Sequence, residues 1–522
     1  DGAFNGATQT INHNLGTTPG MIIFKRTDAG GTNWIVAHRS LSTNQAILLN
    51  STAAPYNVSP TFDYVSNFTD TTFTVHRASD ATLSTNAPSS SMVAYLFAHD
   101  AQDFGTDSDE SIIKCGSYTG DGASSQDISL GWEPQWLLIK QPSVSSDWYM
   151  FDNMRGVVTG GNDALLDANT ADAETANFDR YNFNADGFSA VFDNVSGRPY
   201  IYVAIRRPHK PAEEFAATDL FNPQKYTGDG STRVFDLPIT PDMTMNLSLD
   251  VSGDSTAVND RVRGSGLEIY TDGAGAEYNA STAGMQFDYT KGIENQDYRR
   301  TSSKNYVNYH FKRTPGFCDV VAYTGNSVNG RALPHNLGVA PEMIIAKNRS
   351  NPNNWVVWHS ALNITTESLI LNADTATGVP ASATTGWFTQ AATSTNIYPV
   401  NYQGINQSGY NYVAYLFASV PGISKVGSYT GTAADLNVDC GFSAGARLVL
   451  VKRTDSTGDW YVWDAENGIV AGDDPYKLLN SSAAQVTNTD YIDPLSSGFT
   501  ITSSAPAALN ASGGTYIFLA IA

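Results

Sequence analysis

Positive charge is what this chain has least of for its size. It carries 30 Lys and Arg against 51 Asp and Glu over 522 residues, a net charge of −21, and only 16% of its residues are charged. Such a surface repels phosphate backbones and anionic headgroups, which argues against nucleic acid and membrane as partners and keeps a large, lightly charged chain in solution. Cysteine is nearly missing. Cys115, Cys318 and Cys440 are odd in number and include no Cys-x-x-Cys pair, so no disulfide framework is expected and the redox compartment stays open. No apolar run reaches the roughly 18 residues that span a bilayer. There is no signal peptide and no initiator Met, and Asp1 reads as a start inside a longer polypeptide. Stretches with the 3.6-residue period of an amphipathic helix are hard to find, so helix is expected to be minor.

Gly, Ser, Thr, Asn and aromatics are there in quantity: 44 Gly, 26 Tyr and 23 Phe, with 41% hydrophobic residues overall. That mixture suits many short strands joined by tight turns. A single core does not grow to this length, and roughly three to five domains are expected. The chain is visibly repetitive. INHNLGTTPGMIIFKRTDAGGTNWIVAHRSL, from Ile11 to Leu41, returns from Leu333 to Leu362 as LPHNLGVAPEMIIAKNRSNPNNWVVWHSAL. Weaker echoes run from Ser129 to Gly156 and from Val438 to Gly468. A Tyr-Thr-Gly step at Tyr118, Tyr226, Tyr323 and Tyr429 recurs about every hundred residues, and Trp34, Trp148, Trp355 and Trp460 keep the same beat with one copy missing.

Five repeats result, each closing on an aromatic strand such as MVAYLFA at Met92–Ala98 or YVAYLFA at Tyr412–Ala418. Apolar runs separated by turn residues at short intervals are the mark of a β-sandwich or jelly roll. The expected fold is all-β, with five tandem sandwiches in the order A-B-C-A-B: 1–100 (type A, its start truncated), 112–206 (B), 222–313 (C, divergent), 319–418 (A) and 424–522 (B). Short polar joints, Asp100–Ser111 and Arg206–Asn222 among them, separate the repeats. Arg207-Pro208 and Lys210-Pro211 should stiffen the second joint, which favours an elongated string of domains. Opening and closing strands of one repeat are expected to be sheet neighbours.

The most regular polar constellation is Lys, Trp and the residue four after Trp: Lys25/Trp34/His38 and Lys347/Trp355/His359 in the A repeats, Lys140/Trp148/Asp152 and Lys452/Trp460/Asp464 in the B repeats. On a strand, Trp and the residue four on share a face. An aromatic platform beside a hydrogen-bonding group suits a sugar ring, so these eight Trp, His and Asp residues are the candidate ligand-binding positions. Packing of a buried Trp with Lys at the strand end explains the same spacing and is the favoured reading. His13 and His335 read as turn histidines, since no second ligand lies at zinc spacing. The GDG loops (Gly120–Gly122, Gly228–Gly230), Asp272-Gly273 and Ala471–Asp474 offer oxygen ligands of the kind Ca²⁺ takes. None has a calcium-loop spacing, and they read as turns. No cofactor is expected. Neither a paired-carboxylate strand nor a nucleophile elbow, phosphate loop or zinc-protease motif appears, so no enzyme is expected.

The motif set is distinctive: YTGDG, HNLG-x-x-P-x-MII-x-K, NW or DWY followed by FD-x-x-RG (Phe151, Asp152, Arg155, Gly156), and a late DGF or SGF strand at Asp186–Phe188 and Ser497–Phe499. With these residues the chain resembles the lectin-like repeat modules of marine bacteriophage tail-fibre and virion structural proteins. The resemblance covers nearly the whole chain, the third repeat least well. It implies a concanavalin-like sandwich per repeat and a place on an external, extracellular appendage of a virion. It also implies self-association, often as a trimer, with other virion proteins and host-surface polysaccharide as further partners. The expected function is therefore a virion structural, tail-fibre-like protein for host attachment. A tailspike-like polysaccharide depolymerase and a secreted microbial adhesin or filament subunit are the alternatives.

Overall fold

The computed structural model describes residues 8–57, 64–77, 84–87, 89–99, 111–208, 212–280, 284–287, 289, 292–295, 299, 301–378 and 386–522. The start at Asp1, residues 100–110 of the first joint and Lys210-Pro211 lie outside them. The protein is all-β, built from antiparallel sheets with a few short helical turns. Among the described residues no helix is long and apolar enough to cross a membrane. The chain divides into two compact units: Asp1–Asn153 with Gly161–Pro208, and Met154–Gly160 with His209–Ala522.

One sheet plan recurs in both units. In the first unit the order is Tyr56–Asn57, Gln45–Leu48, Trp34–His38, Pro19–Arg26 and Met92–Ala98. It returns there as Leu166–Asp167, Trp148–Asp152, Pro134–Lys140, Pro199–Arg206 and Ile113–Thr119. In the second unit, sheets centred on Met243–Ser248, Met343–Asn348 and Leu448–Arg453 keep the plan, each with the Trp-position strand on one side and the closing strand on the other. Smaller sheets face these. Thr8–Asn12, Thr72–His76 and Val65–Ser66 form one, and Leu436–Asp439, Gly498–Ile501 and Ile492–Leu495 form another.

The opening and closing strands are neighbours wherever both are described, and the Tyr-Thr-Gly signature explains itself there. Tyr118 lies opposite Tyr200, Tyr226 opposite Tyr306, Tyr323 opposite Tyr412 and Tyr429 opposite Tyr516. Each pair of rings stacks, with centroids 4.7, 5.3, 5.2 and 4.8 Å apart. Such cross-strand aromatic pairs stabilise a sheet by roughly 0.2–1 kcal/mol each. The glycine after the threonine is needed because a Cβ there would stand 2.3 Å from the Val195 carbonyl oxygen at Gly120, and 2.1 Å from that of Gln407 at Gly325.

The central strands are apolar on both faces for a physical reason. In the fifth repeat Val449, Val451, Trp463 and Phe518 pack with Phe499 and Ile501 of the small facing sheet. Leu448, Leu450, Trp460 and Leu519, the alternate residues, belong to a different core that also holds Met243, Val307, Met343 and Trp355 of the third and fourth repeats. In the first repeat Ile22, Phe24 and Ile35 likewise pack inside the repeat. Met21, Ile23 and Val36 pack with Leu138, Trp148 and Val203 of the second. Each large sheet is thus covered twice, by its own small sheet and by the adjacent repeat, which removes the polar-out half of the alternation.

Candidate functional site

Three of the four repeated Trp residues are docking residues between repeats. Trp148, Trp355 and Trp460 are each 1% exposed. Their indole N–H groups donate to the backbone of the repeat before: Trp148 to the Leu48 carbonyl at 2.9 Å, Trp355 to Tyr270 at 2.8 Å and Trp460 to Ile370 at 2.9 Å. The lysine on the adjacent strand does the same a few residues further on. Lys140 Nζ donates to the Thr52 carbonyl at 3.0 Å, Lys347 to Ala274 at 3.0 Å and Lys452 to Thr375 at 2.9 Å. Burial pushes all three amines down to about 8. An Asn carboxamide fixes the start of each Trp strand: Asn169, Asn372 and Asn480 accept from the Trp148, Trp355 and Trp460 backbone N–H at 2.7, 2.9 and 3.0 Å.

Of the two readings of these positions, the structure places Trp148, Trp355 and Trp460 as packed aromatics and not as sugar platforms. A ring with both faces packed and its N–H satisfied presents no surface on which a pyranose stacks. Trp34 differs: it is half-buried, stacked on the 48%-exposed Tyr95 with centroids 6.3 Å apart, and Lys25 Nζ lies 5.6 Å from its ring. Lys25 turns back on its own repeat, to Thr32 Oγ1 at 3.0 Å and the Thr32 carbonyl.

The residue four after Trp also joins repeats. His38 shares a hydrogen bond with the Tyr202 carbonyl at 3.1 Å, and His359 one with the Phe518 carbonyl at 3.4 Å. Their Nδ1 atoms accept the Ser40 and Ala361 N–H at 3.2 and 3.0 Å. Burial pushes both imidazoles down to about 4. Asp464 accepts the Tyr309 hydroxyl at 2.7 Å, and burial raises its carboxyl above the usual range. Asp152 is half-buried on its strand. The third repeat, with no Trp, still uses this position: Asp260 accepts the Tyr415 hydroxyl at 2.7 Å and pairs with Arg263 at 2.5 Å. Sequence reasoning missed Asp260, although it lies on the Trp-position strand, opposite Met243 as His359 lies opposite Met343.

In the second unit these contacts run from repeat to repeat and return. The fourth repeat docks on the third through Trp355, and the fifth on the fourth through Trp460. The third docks on the fifth: Gly253 N–H donates to Ser482 at 2.8 Å, Gln485 N–H to Leu249 at 2.9 Å, and the Thr271 hydroxyl to Leu479 at 2.5 Å. Where the three sheets meet, Met245, Tyr309, Ile345, Tyr415, Leu450 and Leu519 line an apolar cavity of about 40 Å³, room for little more than one water.

The other sequence candidates are turns. His13 and His335 Nδ1 each accept the N–H two residues on, at 3.2 Å. Asp121 accepts the Ala123 N–H and Asp229 the Ser231 N–H, both at 2.8 Å. Among the described residues no group of three or more His, Cys, Asp or Glu is placed to hold a metal.

One family of sequences accounts for the chain. The model for a domain of unknown function (DUF7483) matches residues 3–208 and again 216–522. The chain belongs to the DUF7483 family. Its first match covers two of the repeats and its second covers three, and the break falls at the boundary between the compact units. No curated protein and no solved structure matches this DUF7483 chain.

The DUF7483 surface also carries an aromatic patch that periodicity did not mark. Phe178 and Phe192 are 46% and 53% exposed, with ring centroids 4.7 Å apart. The Arg180 guanidinium lies 5.4 and 5.1 Å from them and 4.5 Å from Tyr149, tied to Asp193 at 2.9 Å. These residues come from the turn-rich stretch before and after the DGF strand, where neither a strand period nor a repeat landmark draws attention to them.

Proposed function

We propose that this chain is a structural and attachment protein: five β-sandwich domains in A-B-C-A-B order, forming part of a tail-fibre-like virion appendage that meets host-surface polysaccharide. One observation carries the structural half of this reading. The most regular polar and aromatic groups of the sequence, the Trp, Lys and His/Asp positions, hold successive repeats to one another. Side chains used in this way join similar modules within each compact unit, as a structural role requires. The resemblance in the YTGDG and HNLG motifs points to a virion as the setting.

Contact with a glycan falls to the exposed Phe178 and Phe192, which offer apolar ring faces beside the polar Arg180 and Asp193. The test is a glycan array probed with the full chain and with the double variant Phe178→Ala/Phe192→Ala. The native chain should bind bacterial surface polysaccharide without releasing reducing ends. The variant should lose about tenfold or more in affinity, since aromatic stacking contributes on the order of 0.5–1.5 kcal/mol per ring, with unchanged melting. Release of reducing ends would replace this reading with the depolymerase one, and absence of binding would end the attachment role.

A further inference from the structure

The third repeat keeps the sandwich plan and reverses the chemistry of its interior. On the strands Met243–Ser248 and Asn305–Phe311, Met243, Leu247, Val307, Tyr309 and Phe311 belong to the core shared with the neighbouring repeats. Thr244, Asn246, Ser248, Tyr306, Asn308 and His310 therefore face inward, all at 0–1% exposure. Register shows what they replace. Thr244 lies opposite His310 and Asn259, as Val449 of the fifth repeat lies opposite Ala520 and Trp463. Asn246 lies opposite Asn308 and Ala257, as Val451 lies opposite Phe518 and Tyr461. Three aromatic rings of the fifth core have thus become Asn259, Asn308 and Ala257, and His310 and the buried Arg299 take back only part of that room. Polar groups in a dry interior are costly unless partnered, and here the partnering is incomplete. Thr244 Oγ1 and His310 Nδ1 share a hydrogen bond of 2.9 Å, and Asn246 Nδ2 donates to the Tyr226 hydroxyl at 2.9 Å and to Asn308 Oδ1. The opposite ends, His310 Nε2, Asn246 Oδ1 and Asn308 Nδ2, are buried with no hydrogen-bond partner among the described residues, as are the Ser248 and Tyr306 hydroxyls. Across from this polar wall stand Phe235, Leu237 and Ile293, with the Phe235 ring centroid 6.3 Å from that of His310.

We propose that the interior of the third repeat is a binding site for one neutral sugar residue, its hydroxyls held by the polar wall of the large sheet and its C–H face set against Phe235 and Ile293. The chemistry selects that class. Carboxamides, hydroxyls and an imidazole offer donors and acceptors side by side, which suits a ligand whose own hydroxyls do both. The apolar wall opposite suits the C–H face of a pyranose. No net charge is on offer: Arg299 lies 3.9 Å from Glu268 and Arg261 3.7 Å from Asp242, while burial keeps His310 neutral by pushing it down to about 3. A phosphate, a carboxylate or a metal cation would enter without compensation. The covering strands Arg233–Phe235, Ile293–Asn295 and Met285–Gln286 are two or three residues long, so admitting a ligand means parting a short sheet and not a whole sandwich. This site is separate from the Phe178 and Phe192 patch and does not depend on the attachment role.

The test is calorimetric titration of the full chain with glucose, galactose, N-acetylglucosamine and glucuronate. At least one of the three neutral sugars should bind, and glucuronate should bind about tenfold more weakly or not at all, since its carboxylate finds no counter-charge. Asn246→Val/Asn308→Phe, which restores the pair of the fifth repeat, should lose about tenfold or more in affinity by removing hydrogen-bonding groups and filling the space. Asn246→Leu/Asn308→Leu, of nearly the native shape, should lose affinity in the same way and keeps the comparison readable where the bulkier pair does not fold. It should also melt no lower than the native chain, because both partners of one hydrogen bond leave together with two unpartnered ends. Phe178→Ala/Phe192→Ala should bind these sugars as the native chain does. Absence of binding by every neutral sugar overturns the proposal, and so does binding that survives in the folded Asn variants. A lower melting temperature of the Leu pair overturns it as well, since the wall would then be a network kept for stability. Binding lost only in the Phe178/Phe192 variant would move the ligand to the surface patch, and preference for glucuronate would refute the neutral class.

Discussion

At the scale of single residues, the groups with the most displaced titration are those caught between repeats. His359 is fully buried, and its neutral ring is held by one carbonyl and one backbone N–H. Its folded value of about 4 lies below the ordinary 6.5, so below pH 6.5 the unfolded chain takes up a proton that the folded one refuses. The stability from this residue is full above pH 6.5 and is lost as pH falls from there towards 4, by up to about 3 kcal/mol. His310, held to about 3 by burial, titrates in the same sense, and raised carboxyls such as Asp464 oppose it. Both contributions cancel when two proteins are compared. Denaturant midpoints of the native chain and of His359→Gln, taken from pH 7 to pH 4, should therefore diverge in slope, with the shallower fall in the variant. Equal slopes would mean that His359 is solvated and does not join the fourth repeat to the fifth.

At the scale of elements, the Trp strand decides whether two repeats adhere. Trp355→Ala opens a void in the shared core and leaves the Tyr270 carbonyl without its donor. Truncating a buried Trp costs about 3–5 kcal/mol. Trp34→Ala removes a half-exposed ring whose indole N–H has no acceptor among the described residues, and should cost about 1 kcal/mol or less, as surface changes do. Urea unfolding of the two variants separates a docking role from one common to every sandwich core, for which both losses would be similar. The sequence made the strand legible and its partner illegible. HNLG, Met-Ile-Ile and Asn-Trp mark the same strands in both A copies because local turn chemistry and period-2 packing are written in adjacent residues. The acceptors at Leu48, Tyr270 and Ile370 are backbone carbonyls about 85 to 100 residues away, and a carbonyl leaves no trace in residue identity. Asp260 was hidden for a related reason. The third repeat has Leu247 and Thr256 where the others have Lys and Trp, so the landmark that locates the position is gone while the position itself persists.

At the scale of the whole molecule, the loss of Lys and Trp in the third repeat coincides with the division into two compact units. The pair that joins the second repeat to the first, the fourth to the third and the fifth to the fourth is missing at the one step where the units part. The sequence repeats therefore fall into two compact units, a grouping that spacing alone does not reveal. Within the second unit the core is common property: Met243, Leu247 and Val307 from the third repeat share one cluster with Val413 and Leu416 from the fourth and Leu450 and Leu519 from the fifth. A closed set of three should then unfold as one body, because opening any contact exposes part of a core that all three cover. Tyr309→Phe gives the sharpest test, since it deletes the hydroxyl that ties the third repeat to Asp464 of the fifth and leaves every residue of the fourth unchanged. A buried hydrogen bond to a carboxylate contributes about 1.5–3 kcal/mol. Amides of the most protected strands should exchange about tenfold faster or more, and those of Met343–Asn348 in the untouched fourth repeat should accelerate together with those of Met243–Ser248 and Leu448–Arg453. Acceleration confined to the third and fifth repeats would show three self-sufficient sandwiches that merely adjoin.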